Sequence, residues 1–179
     1  MKKLIILLAF FGSTCLAEPP APDTLKVQIA DVIAADSVTP VDGITVSGQP
    51  NEEALAVFAA SGYTTVIDLR GARENRGIDE DAAVAAAGMD YVQLPIESAA
   101  QINYATAAEL TRLIDASEGP VLLHCGSGNR VGALLALAKR QEGASVEDSI
   151  TYGTRGGLTR LRGVVEERLQ APPSEESSP

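Results

Sequence analysis

No apolar run in this chain is long enough to span a bilayer, which takes about 20 residues. Residues 4–11 are apolar but stop far short of that. Lys2 and Lys3 precede them, small and turn-prone residues lead to Ala17, and Glu18-Pro19-Pro20 follows. This is the layout of a secretory signal peptide cleaved after Ala17, so an exported protein, periplasmic or secreted, is expected, with no stable membrane association after cleavage. Basic residues are also scarce: 14 Lys and Arg stand against 24 Asp and Glu, a formal charge of −10. Cleavage would remove Lys2 and Lys3 and none of the acids. A surface this acidic repels nucleic acid and anionic lipid, which excludes them as natural partners. Cysteine is scarcer still. Cys15 falls within the signal, which leaves Cys125 as the sole thiol of the mature chain. Such a protein has no internal disulfide and must rely on its core. A lone thiol in an oxidising compartment points to a reactive role.

What is present alternates. Residues 18–23 are rich in Pro and Ala, and 171–179 in Pro, Ser and Glu, so both are expected to lack structure. The division that follows is a signal over 1–17, a lead segment over 18–43, one folded domain over 44–170 and a disordered tail over 171–179. Within the domain, strands are expected at 44–46, 64–69, 91–96 and 121–124, the third interrupted by Pro95. Helices are expected at 51–60, 79–87, 106–117, 131–141, 146–152 and 158–170, with Gly156-Gly157 breaking the last two apart. The helix over 131–141 has almost no polar face and should be enclosed by other elements. Strands alternating with helices imply right-handed βαβ units, hence an α/β fold with a mostly parallel central sheet flanked by helices.

The chemistry concentrates at one junction. The apolar strand 121–124 runs into Cys125-Gly126-Ser127-Gly128-Asn129-Arg130, and a helix begins near Arg130. Glycines let the backbone turn with its N–H groups pointing inward, and a helix N-terminus adds a positive field. Cys125 sits where that field favours a thiolate. Arg130 offers a planar fork that matches two oxygens of a tetrahedral oxyanion. A nucleophile and an oxyanion clamp therefore converge, with Gly126, Ser127, Gly128, Asn129 and Arg130 as the phosphate-binding residues. Asp68-Leu69-Arg70 reads either as an ion-paired strand end or as part of the site rim, and Gln49 either lines the pocket or fixes a turn.

His124-Cys125, a glycine-containing loop, then Arg130 and a helix resemble the signature of cysteine-dependent tyrosine and dual-specificity phosphatases. Residues 46–50 (Val-Ser-Gly-Gln-Pro), 65–70 (Thr-Val-Ile-Asp-Leu-Arg) with Glu74, and 91–96 (Tyr-Val-Gln-Leu-Pro-Ile) fall in the order of small bacterial members. The nearest branch is the beta-lactamase-hydrolase-like, tyrosine-phosphatase-like domain, and the resemblance covers roughly 44–150. It implies a cysteine-phosphatase-like fold and a metal-independent hydrolase without cofactor, acting on a phosphorylated protein or small molecule. In that mechanism Cys125 forms a phosphocysteine and Arg130 holds the phosphoryl oxygens. The same resemblance gives His124 a loop-supporting role and puts the general acid at Glu97, with Asp68 and Glu74 as rivals. Two departures stand out. Four residues separate Cys125 from Arg130 where five are usual, a spacing that occurs in the branch just named and also in rhodanese-type sulfurtransferases. Val131 also replaces the customary hydroxyl residue after the arginine. A sulfurtransferase and an inactive oxyanion-binding module therefore stay as alternatives.

Overall fold

The computed structural model describes residues 24–170; the expected signal peptide and the 171–179 tail lie outside them. Among the described residues, four strands form one sheet: β1 (Ile44–Ser47), β2 (Thr65–Asp68), β3 (Asp90–Gln93) and β4 (Val121–His124). The order is β1-β4-β2-β3 and every pairing is parallel. The register aligns Ser47, His124, Asp68 and Gln93 in one row at the C-terminal ends. β1, β2 and β4 are buried throughout, as parallel strands covered on both faces must be. β3 lies at the edge and is shorter than expected. The chain beyond it stays extended: Leu94 N donates to Asp68 O (2.9 Å) and Ile96 N to Leu69 O (3.2 Å). Pro95 lies between them and has no N–H to offer, a gap an edge strand tolerates.

Among the described residues, seven α-helices cover the two faces. On one side α1 (Ile29–Ala35), α2 (Glu52–Ala60) and α3 (Glu80–Ala86) bury Val32, Leu55, Phe58 and Val84 against Val66 and Leu122. On the other, α4 (Tyr104–Asp115), α5 (Asn129–Gln141), α6 (Val146–Arg155) and α7 (Arg162–Gln170) pack Leu110, Leu134, Ile150 and Val165 with Ile67 and Leu123. Helix starts carry side-chain caps: Asn51, Asp79, Asn103 and Ser145 each accept from the backbone N–H three residues on.

Sequence reasoning did not find α1. The segment before β1 nevertheless joins the same core: Leu25 and Lys26 bridge to Val46 (Val46 N to Leu25 O, 2.8 Å), and Leu25 and Val41 are buried. α1 is only seven residues long, and six of them (Ile29, Ala30, Val32, Ile33, Ala34 and Ala35) are apolar, so it shows no polar face by which a helical period could announce it. Helix α5 starts two residues earlier than expected, at Asn129, so Arg130 belongs to its first turn. The stretch 158–161, expected as helix, is a turn before α7, because Gly157 sits at φ +95 and redirects the chain.

Candidate active site

The row that ends the sheet builds the site. β4 delivers His124 and Cys125 in succession, and alternation along a strand sends them to opposite faces. Cys125 joins the core on the α5 side and is 2 % exposed. His124 faces α3 and is fully buried. The loop then turns at Gly128, which adopts φ +80 at the N-cap of α5. L side chains rarely adopt that conformation, so glycine is needed there. Gly48, at the end of β1, lies against the loop: a Cβ on it would stand 3.3 Å from Gly126 O. Gly126, Ser127, Asn129 and Arg130 line a hollow of about 480 Å³ together with Glu74, Arg160 and Leu161.

Arg130 is held before any ligand arrives. Its Nη1 donates to Leu69 O (3.2 Å) and lies 2.7 Å from Glu74 Oε1. Burial would raise the Glu74 carboxyl, but the bond to Arg130, the Gly71 N–H and Arg70 overcome it and hold the group down at about 2. Glu74 is thus an anion at neutral pH and fixes the fork of Arg130; it has no proton to give.

Asp68 does not reach the hollow. It is fully buried and accepts from Arg76 Nε (2.6 Å), Tyr91 Oη (2.8 Å) and Arg70 N (2.7 Å). The Tyr91 phenol, pushed up by its own burial and further by the Asp68 charge against an opposing bond from Gln93, stands at about 12. Arg70 bonds Gln49 Oε1, Glu74 (3.2 Å) and Asn75 O (2.9 Å), and Gln49 Nε2 donates to Glu80 Oε1 (2.9 Å). Gln49, Asp68 and Arg70 thus form one buried polar lattice behind the loop. Asp68, Glu80 and His124 each bring one ligand atom within 4.8 Å of the others, a grouping that can hold a cation. The Arg76 guanidinium already occupies that role, 2.6 Å from Asp68 and 3.5 Å from Glu80. His124 Nε2 lies 3.1 Å from Glu80 Oε1 and 3.6 Å from Asp68 Oδ1, and neither contact has hydrogen-bond geometry.

Glu97 is placed differently. Its Oε1 accepts from Ala72 N (2.8 Å), and it lines a smaller hollow of about 190 Å³ that shares Arg130 and Leu161 with the first. Asn129 lines the larger hollow but aims its side-chain oxygen elsewhere. Oδ1 accepts from Thr159 N (2.8 Å), Thr159 Oγ1 (3.1 Å) and Leu161 N (3.3 Å), pinning the 159–161 turn beside the loop. Sequence reasoning missed Arg76, Glu80, Arg160 and Leu161. Glu80 follows the N-cap Asp79 and reads as capping charge, although its side chain turns inward. Arg160 falls in the stretch read as helix; the Gly156-Gly157 pair was the signal that the chain bends there.

The sheet order, the thiol at the end of a central parallel strand and the arginine opening the next helix define a cysteine-phosphatase-like fold. Residues 28–142 match the family described as beta-lactamase hydrolase-like protein, phosphatase-like domain, and the chain belongs to that family. A beta-lactamase hydrolase-like protein of Xylella fastidiosa is 37% identical over 111 residues, which cover 60% of this chain and 26% of the relative. The chain thus spans about a quarter of that relative's length. Among solved structures, P. aeruginosa TpbA in complex with pTyr superposes with a TM-score of 0.57 at 20% identity, covering 72% of this chain and 78% of TpbA. The core catalytic domain of the PP-IP phosphatase SIW14 from S. cerevisiae superposes with 0.61 at 14%, covering 75% and 83%. At those identities the likeness is one of fold.

Proposed function

We propose that this chain is an exported, metal-independent cysteine phosphatase that hydrolyses phosphomonoesters through a phosphocysteine intermediate. The observation that carries the reading is the loop itself: a thiol at the end of β4 immediately before a hollow lined by Gly126, Ser127 and an oriented Arg130, at the start of a buried helix. Backbone N–H groups at a helix start with a guanidinium beside them suit the charge that builds on a phosphoryl group in transfer. Sγ of Cys125 attacks phosphorus, the bond to the leaving oxygen breaks, and Arg130 with the loop N–H groups holds the remaining oxygens. Glu97 protonates the leaving oxygen, since Asp68 is fully engaged by three donors and Glu74 is ionised against Arg130. Water then attacks phosphorus, breaking the S–P bond and releasing inorganic phosphate. The N-terminal 17 residues direct export and are removed.

One observation favours a second reading. Four residues separate Cys125 from Arg130, and the next position is Val131, fully buried and without a hydroxyl to assist hydrolysis of the intermediate. A sulfurtransferase needs no such hydroxyl, because its Cys125 would carry a persulfide to an acceptor. Assaying the purified protein and Cys125→Ser against p-nitrophenyl phosphate and, separately, thiosulfate with cyanide decides between them. The phosphatase reading expects hydrolysis of the first, lost by at least about 1000-fold in the serine variant. Thiosulfate:cyanide turnover without phosphate release would replace it with the second reading, and vanadate binding without either turnover would leave an oxyanion-binding module.

A further inference from the structure

Among the described residues, most arginine and lysine side chains are spoken for. Arg70, Arg76, Arg112, Arg130, Lys139, Arg162 and Arg168 each stand within salt-bridge distance of a carboxylate. Arg160 is exposed, forms no ion pair or side-chain hydrogen bond among the described residues, and lines the same hollow as Arg130. Its position is built. Asn129, inside the loop sequence, directs its side-chain oxygen to Thr159 N, Thr159 Oγ1 and Leu161 N, the residues on either side of Arg160. Three bonds to one buried acceptor fix the backbone that presents this guanidinium. In a chain of formal charge −10, an unneutralised cation pinned at the rim of an anion hollow needs a reason.

Charge on the lining side chains supplies one. Glu74 neutralises Arg130 within the hollow, so Arg160 is the excess positive charge. Arg130 and the loop N–H groups account for a single phosphoryl group, which leaves Arg160 free to meet a second anionic group close to it. We propose that Arg160 forms a second anion subsite and that the substrate carries a further phosphoryl group beside the scissile one, as in a diphosphate. The inference rests on the phosphatase reading and names its substrate class. Glu97 agrees with this: one of its oxygens already accepts from Ala72 N (2.8 Å), leaving one for proton transfer. A diphosphate asks least of that acid. When Sγ of Cys125 bonds the terminal phosphorus and the bond to the bridging oxygen breaks, the electron pair leaves on a phosphate that is stable as an anion. Water then cleaves the S–P bond, giving inorganic phosphate and a proton.

Calorimetric titration of the Cys125→Ser protein with inorganic pyrophosphate and with inorganic phosphate tests the subsite without turnover. Pyrophosphate is expected to bind about tenfold tighter than phosphate, and Arg160→Ala in the same background to erase most of that preference, with Arg160→Lys in between. Equal affinity for the two anions, or a preference that survives Arg160→Ala, overturns the subsite. The parent reading is judged apart, on p-nitrophenyl phosphate with the unmodified protein. Hydrolysis there with no pyrophosphate preference sinks only the subsite, whereas a pyrophosphate preference without hydrolysis keeps the subsite and sinks the phosphatase.

Discussion

His124 and Cys125 are neighbours in sequence, yet they end β4 in opposite environments. Behind the sheet, His124 meets a buried lattice of charge: Asp68, Glu80 and Arg76, tied outward through Gln49, Arg70 and Tyr91. In front of it, Cys125 belongs to an apolar core with Val131 and Ala133, and Gly132 between those two lies close against Gly153 of α6. The rear is fixed by hydrogen bonds whose directions are set by chemistry. The front is fixed by steric fit. The loop that follows them is thereby held from both sides. Buried charges resist displacement because a broken pair leaves an uncompensated ion, and close-packed backbone resists because it has no room to yield.

The comparison breaks hardest at Asp68. Asp68→Ala strips Arg76 and Tyr91 of their shared acceptor and should lower unfolding free energy by about 3–5 kcal/mol, read by urea denaturation. A loss below about 1 kcal/mol would mean that the rear lattice is not what fixes the strand ends. On the front, Gly132→Ala places a methyl 2.3 Å from Leu158 N and 2.5 Å from Gly153 O, backbone atoms that cannot swing aside. It should cost about 3 kcal/mol by the same measurement, the upper end for overpacking. A neutral result would show that α5 and α6 can slide apart.

Arg130→Lys keeps the charge and removes the fork between Leu69 O and Glu74. Under the proposed mechanism, kcat/KM on p-nitrophenyl phosphate should fall about 100-fold, some 2.7 kcal/mol of transition-state stabilisation, with little change in melting temperature. The smallest effect belongs to Glu74. Its carboxyl titrates at about 2 instead of 4.5, so its contribution is complete above pH 4.5 and is lost as pH falls toward 2. The side chain is about a third exposed (32 %), and solvent screening reduces the contribution to about 1 kcal/mol. Unfolding of Glu74→Gln beside the unmodified protein should show that gap at pH 7 and its closure near pH 2. A constant gap would assign the difference to something other than ionisation.

Much of this was readable from residue order. β-branched and apolar runs at 65–68 and 121–124 are buried strands because parallel strands are covered on both faces, and the near-unbroken apolar helix after Arg130 is enclosed for the same reason. Gly128 announced the turn that caps α5. All of these are local signals, carried by propensity and periodicity. Side-chain destinations are not local. Asp79 and Glu80 look alike as the acidic start of a helix, yet one caps α3 and the other is buried against His124, because only the packed sheet sets Gln49, Arg76 and His124 around it. Asp68, Glu74 and Glu97 carry the same group, and only resemblance put Glu97 ahead of the other two. Tertiary structure separated them by their partners: three donors for Asp68, two guanidinium groups and the Gly71 N–H for Glu74, one backbone N–H for Glu97. The sequence by itself determined that a thiol, glycines and an arginine would meet at the end of a strand, since a glycine-rich turn running straight into a helix keeps residues 125–130 compact. That Arg160 joins them from 30 residues downstream of Arg130 was decided only in the tertiary structure, by the 159–161 turn bonded onto Asn129, because no local signal in the chain links the two segments.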